Sequence, residues 1–318
     1  MSKVCWALML GFTNLPGMAA EVVPDRSPAE WLEFMNQAFV NSSYDGLFSY
    51  FDGTDLSTLR VVHAVVDGVQ RERLVHLNGE RREIIRRGND VACILQPGDE
   101  MLALEGSIPS GPFARAFSRA FGDVDGNYEL TNQGTDRVAD RTAVIIHVAP
   151  RDRDRYGYRL WLDRDNGLLL RSELVDTAGA RLEIFQFAKV AIDEPIPASA
   201  LQPETHDGAI TSHLSLEEKP RPNSAHTMRW RADWIPAGFR MAAWDIRRTP
   251  ATMQSVSTLM YSDGLAAFSV FVEVLPAAGA ARLVSRNGAT VAVTHMAHGP
   301  NDAPHLVTVV GEVPVATA

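Results

Sequence analysis

From Tyr156 to Leu174 the chain alternates apolar and polar residues in two runs on either side of Asp163-Arg164-Asp165-Asn166-Gly167. Alternation around a loop rich in Asp, Asn and Gly predicts a β-hairpin. Tyr158, Leu160 and Leu162 share one face of the first run; Leu168, Leu170 and Leu174 share one face of the second. Pairing Asp163 with Gly167 keeps the leucines together, whereas a turn on Asn166-Gly167 alone sets them against Arg171 and Glu173. The pattern therefore predicts a three-residue loop. A third strand, Ala180 to Val190, is expected to extend the leucine face through Leu182, Ile184 and Ala188, and to place Phe185 and Phe187 beside Trp161 and Leu169. Such a sheet is apolar on both faces, so its second face needs a cover.

Upstream, Ser27-Pro28-Ala29-Glu30 has the N-cap, first-turn proline and capping-box glutamate of a helix start. Trp31, Leu32, Met35, Ala38 and Phe39 then recur at helical spacing as one buried stripe. Strand-like runs follow at Tyr44–Phe51, Leu59–Val66, Val69–Leu77, Arg82–Arg86, Val91–Leu95 and Met101–Leu104. Asp52-Gly53, Asp67-Gly68 and Asn78-Gly79 punctuate them as turns, the pattern of an antiparallel meander. A second helix is expected over Phe113–Phe121, then strands at Tyr128–Gln133 and Val138–Val148. Between Ala191 and Met228 periodicity disappears and five prolines appear (Pro195, Pro197, Pro203, Pro220 and Pro222), which marks a linker. Further strands are expected near Arg240–Ile246, Ser255–Tyr261, Ala266–Val274, Thr290–Met296 and Leu306–Gly311. The expected organisation is a leader over 1–20, a large domain over 21–192, a linker over 193–228 and a small domain over 229–318. The fold class is mainly β with some α, an α+β chain with more sheet than its helices can cover.

Composition narrows the function. With 318 residues and 46% apolar content, the chain can bury two ordinary cores. A net charge of −9 argues against a nucleic-acid binder. Lys3, the apolar run Val4–Phe12 and the small residues ending at Ala19-Ala20 have the layout of an export signal, which predicts a soluble periplasmic product. Cys5 lies in that leader, which leaves Cys93 alone and excludes an intrachain disulfide or a cysteine-based zinc site.

Catalytic signals are poor. The chain has no Gly-x-Ser-x-Gly, His-Glu-x-x-His or phosphate-binding glycine loop, and His295 and His298 lack an adjacent acidic or cysteine partner. No enzyme activity, cofactor or metal is expected. Two groups of residues suggest binding. Trp161, Leu169, Phe185 and Phe187 form a candidate apolar cleft for an acyl chain or apolar peptide, against the plainer reading of core beneath a helix. Arg81, Arg82, Arg86 and Arg87, with Arg159 and Arg171 at the edge of that patch, are candidate anion ligands because guanidinium forks take phosphate or carboxylate bidentately. The plainer reading of these arginines is a solvated face laced with weak ion pairs. The alternating run Arg151-Asp152-Arg153-Asp154-Arg155 reads as a solvated connection.

The strings RERLVHLNGERREII, YGYRLWLDRDNGLLLRSEL, YSDGLAAFSVFVE and VTVVGEVP, in this order along the chain, resemble the RseB/MucB family of periplasmic sigma-E regulators. The resemblance implies a large domain like the lipoprotein carriers LolA and LolB, a half-open antiparallel β-barrel plugged by helices, followed by a small β-rich domain. It also implies a partner, the periplasmic region of a single-pass anti-sigma factor, which the protein shields from site-1 proteolysis until a lipid or lipopolysaccharide signal displaces it. The alternative is a periplasmic lipid or lipoprotein carrier of the LolA type. A homo-oligomer is left open.

Overall fold

A computed structural model of the chain describes residues 26–79, 81–88, 90–95, 126–204, 210–215, 230–248, 255–274, 283–298 and 303–318. The leader, the strand expected at Met101–Leu104 and the helix expected at Phe113–Phe121 lie outside these residues.

The first element is a helix, α1 (Pro28–Asn41), started by the capping box. The Ser27 N–H donates to Glu30 Oε2 at 2.7 Å and the Glu30 N–H donates to Ser27 Oγ at 3.3 Å. This reciprocal pairing satisfies two N–H groups that a bare helix start leaves unpaired. The stripe Trp31, Leu32, Met35 and Ala38 is buried.

Strands β1 (Tyr44–Phe51), β2 (Leu56–Val66), β3 (Val69–His76), β4 (Glu83–Arg87) and β5 (Asp90–Leu95) follow, then β6 (Tyr128–Val138), β7 (Arg141–Pro150), β8 (Gly157–Asp163), β9 (Leu169–Val175) and β10 (Arg181–Ile192). With β11 (Ile210–Ser215) they form one eleven-stranded antiparallel sheet in the order β11-β5-β4-β3-β2-β1-β10-β9-β8-β7-β6. β1 and β10 are joined at the middle, so the sheet consists of two meanders of neighbouring strands. Among the described residues its outer strands β11 and β6 do not pair with each other, and the sheet is open rather than a closed barrel. The large core holds α1 against Phe48, Leu59, Val61, Leu74, Leu160, Phe185 and Phe187.

The second sheet has six antiparallel strands, β12 (Arg240–Arg248), β13 (Ser255–Ser262), β14 (Ala267–Val274), β15 (Leu283–Asn287), β16 (Thr290–His298) and β17 (Pro304–Gly311). Their order is β12-β13-β14-β17-β16-β15, around a core of Phe239, Leu259, Tyr261, Phe268, Val291 and Val309.

Three features differ from the sequence reading. Ile210–Ser215, placed in the linker because prolines surround it, forms β11 by pairing with β5. β15 has no buried face, hence no apolar alternation to reveal it. The β8–β9 loop closes on Asp163 and Leu168, with the Asp163 N–H donating to Leu168 O at 2.8 Å and the Gly167 N–H to Asp163 O at 2.9 Å. The loop shifts the pairing by one residue, with Leu162 opposite Leu169, and a register irregularity between Trp161 and Leu162 adds a second, so Leu160 faces Ser172 rather than Leu170. From Trp161 back to Gly157 the slip is two residues, and an even slip leaves those side chains on their expected face. The Asp163 carboxylate stabilises the wider loop by accepting the N–H groups of Asp165 and Asn166 at 2.9 and 3.1 Å.

Candidate functional site

The four residues expected as one apolar cleft are divided by the sheet. Phe185 lies opposite Ser172, which lies opposite Leu160, so Phe185 and Phe187 belong to the core-facing leucine side. Trp161 lies opposite Arg171, which lies opposite Gln186, on the other side. The cause is a β-bulge between Arg181 and Glu183. One extra residue there exchanges the two faces of β10 for the rest of its pairing with β9. Phe48, Phe185 and Phe187 pack as an aromatic trio with ring centroids 4.9 to 5.9 Å apart. Trp161 is closed by polar neighbours: the Arg171 guanidinium lies 4.6 Å from its ring centroid, and its Nε1–H donates to Asp136 Oδ2 at 3.0 Å. Leu169, at the hairpin end, is fully buried.

The six arginines do not converge on one point either. Arg81 is paired with Glu204, which also lies 3.5 Å from Arg73. Arg73 in turn donates through Nε to Glu83 at 3.0 Å, and both are buried. Arg82 is half-buried and Arg87 is exposed opposite Asp90 and Arg71. Arg86 ends a line of cross-strand neighbours, Tyr44, His63, Glu72 and Arg86, on the face that carries Leu74 and the large core. Arg159 and Arg171 meet at Glu173 on the outer face of the opposite wing: Arg171 is hydrogen-bonded to it and Arg159 lies 3.5 Å away. Arg181 approaches the same carboxylate at 3.5 Å. One nearly buried carboxylate thus gathers three guanidiniums and leaves an excess of positive charge there.

Titration along the inner line follows burial. His63 stacks on Tyr44 with ring centroids 4.9 Å apart, and its Nδ1 is 2.9 Å from the Ser42 carbonyl. Desolvation lowers its pKa from 6.5, and Arg86 adds to the effect. Desolvation raises the Glu72 carboxyl, which Arg86 opposes. The line therefore carries a guanidinium, a reluctant carboxylate and a neutral imidazole, a set that can accept or donate hydrogen bonds to a polar group.

The sequence reading missed a site at the end of the Arg151–Arg155 run. Arg155 is fully buried rather than solvated, between Asp152 and Asp263. Charge alternation looks the same whether or not another domain covers it; only the nearby aromatics Tyr156 and Tyr158 hinted at burial.

The family model described as the MucB/RseB N-terminal domain matches residues 27–205, and that of the MucB/RseB C-terminal domain matches residues 224–318. The sigma factor AlgU regulatory protein MucB of Pseudomonas aeruginosa is 35% identical over 313 residues, covering 98% of this chain and 94% of that protein. The sigma-E factor regulatory protein RseB of Escherichia coli K12 is 27% identical over 318 residues, covering 99% and 96%. Among solved structures, MucB in complex with MucA(peri) matches with 35% identity over 92% of this chain and 96% of that one, at a TM-score of 0.76. A structure of MucB matches with 31% identity over 91% and 94%, at a TM-score of 0.61. Two consecutive domain models and a 35% identical relative over nearly the full length agree: the chain belongs to the MucB/RseB family.

Proposed function

We propose that this chain is a periplasmic binding protein that holds the exported region of a single-pass anti-sigma factor and shields it from site-1 proteolysis. A lipid of the lipopolysaccharide type then displaces it. The observation that supports this reading most directly is the likeness, over 92% of the chain, to MucB solved in complex with MucA(peri). The chain's buried charged groups are tied in ion pairs, Arg73 with Glu83 and Arg155 with Asp263.

An exported segment that is extended when free loses conformational entropy on docking, so tight binding needs contacts from both domains. A lipid releases it in proportion to the lipid's preference for the unbound form. The test is titration of the exported anti-sigma region into the full chain and into a fragment ending at Ser215, followed by site-1 protease digestion. Tight binding and protection by the full chain alone are expected. Full affinity in the fragment would refute the two-domain contact, and absence of binding by the full chain would refute the function. Lipoprotein extraction from membranes without such binding would point to a carrier instead.

A further inference from the structure

The two domains meet through the tip of the β13–β14 hairpin. Its Asp263 side chain is fully buried against Arg155, which is also fully buried and lies in the β7–β8 loop of the large domain. The Tyr128 hydroxyl donates to Asp263 Oδ2 at 2.9 Å, and Arg155 also donates to the Ala237 carbonyl. The guanidinium carbon lies 5.5 Å from the Tyr128 ring centroid and 4.9 Å from that of Phe239, one ring from each domain. A second contact is polar too: the Ala289 N–H donates to Glu183 Oε1 at 3.0 Å, and Tyr50 donates to the other oxygen of that carboxylate. The Thr317 hydroxyl donates to the Asp154 carbonyl at 3.1 Å.

Each charge of the central pair also has a partner within its own domain. Arg155 is held in a fork by both oxygens of Asp152, at 3.1 and 2.8 Å. Asp263 Oδ1 accepts the N–H groups of Leu265 and Ala266 at 2.9 and 2.7 Å. Separating the domains therefore replaces the shared bonds with water while leaving neither charge alone. Desolvation of a buried ion pair offsets much of its attraction, so such a contact adds little net stability but tolerates only the geometry that pairs the charges. That combination suits a contact with two discrete states. Over nearly the same share of the chain, this structure matches the MucB–MucA(peri) complex at a TM-score of 0.76 and a structure of MucB at 0.61.

We propose that Arg155 and Asp263, with Tyr128, form a latch between the domains, and that its closed state is the placement in which the chain accepts its partner. The inference rests on the binding function proposed above and adds its regulation: a signal releases the partner by opening the latch. Two substitutions test it in the full chain. Asp263→Asn removes the charge, and Tyr128→Phe removes a single hydroxyl and keeps the large core. Solution X-ray scattering should give a single compact particle for the unaltered chain and a larger maximum dimension for both variants. Affinity for the exported anti-sigma segment should fall about tenfold or more, the scale on which a buried charged pair acts. Circular dichroism and melting check that each variant is folded; if Asp263→Asn unfolds, Tyr128→Phe decides. Unchanged dimensions in the folded variants would overturn the latch. Enlarged dimensions with undiminished affinity would overturn its link to the partner. An unaltered chain that fails to bind the segment would sink the binding function, while the scattering comparison still judges the latch.

Discussion

Gly311 in β17 shows how tightly single positions are held. A Cβ there would lie 2.5 Å from Phe268 Cβ and 2.6 Å from the Ala267 carbonyl oxygen. Neither atom can move without shifting the backbone of β14, so Gly311→Ala should cost about 1–3 kcal/mol of small-domain stability. Urea denaturation would show this, and an unmoved midpoint would mean the strand relaxes freely. His63 makes a pH-dependent contribution. Its folded pKa lies below 6.5, so the unfolded chain takes up the proton first as pH falls through that window. Its share of stability is complete above 6.5 and is lost on acidification. Glu72 across the strand has the opposite sign, since a raised carboxyl pKa favours the folded chain at low pH and disfavours it as pH rises. His63→Gln should flatten the fall in stability between about pH 7 and 5 relative to the unaltered chain. Parallel pH profiles would show that this imidazole does not carry the effect.

At the level of elements, regular alternation made strands legible and local backbone irregularities hid what they do. β1 begins and ends where its pattern predicts, and α1 starts at its capping box. The leucine face was legible away from the loop, where the slip is two residues, but not at the loop end, where Leu162 pairs with Leu169. The cleft was misread because one bulge turns Phe185 and Phe187 inward, and no single residue in Arg181–Glu183 announces a bulge. The two faces should therefore respond differently to truncation. Phe187→Ala empties part of the aromatic trio and should cost about 3–5 kcal/mol. Trp161→Ala, on a face closed by Arg171 and Asp136, should cost less because water can enter there. Equal losses in chemical denaturation would contradict the division of faces. The ion pair of Arg73 and Glu83 was illegible for a related reason: in the sequence these residues resemble the exposed charges around them, and the segment near Glu204 buries them.

For the whole molecule, the division into two domains was readable from the loss of periodicity after β10, although β11 carries the first sheet into the proline-rich stretch. The contact between domains was not, since it depends on loops that come together only in three dimensions. The arginines expected as anion ligands are spread over both wings of the sheet, so they make separate contributions to any lipid effect. Arg86→Ala with Arg87→Ala should weaken displacement of the partner by lipopolysaccharide and leave the melting temperature nearly unchanged. Displacement at the original lipid concentration would remove this pair from the release step.

β11 comes from within the proline-rich stretch yet completes the sheet beside β5. A shortened protein cut at residue 205, where the N-terminal family match stops, would leave β5 with a bare row of peptide groups. Exposed rows of that kind recruit other chains. Light scattering should therefore find oligomers in a preparation ending at 205 and monomers in one carried through Ser215, so the natural limit of this domain lies past the end of the N-terminal family match.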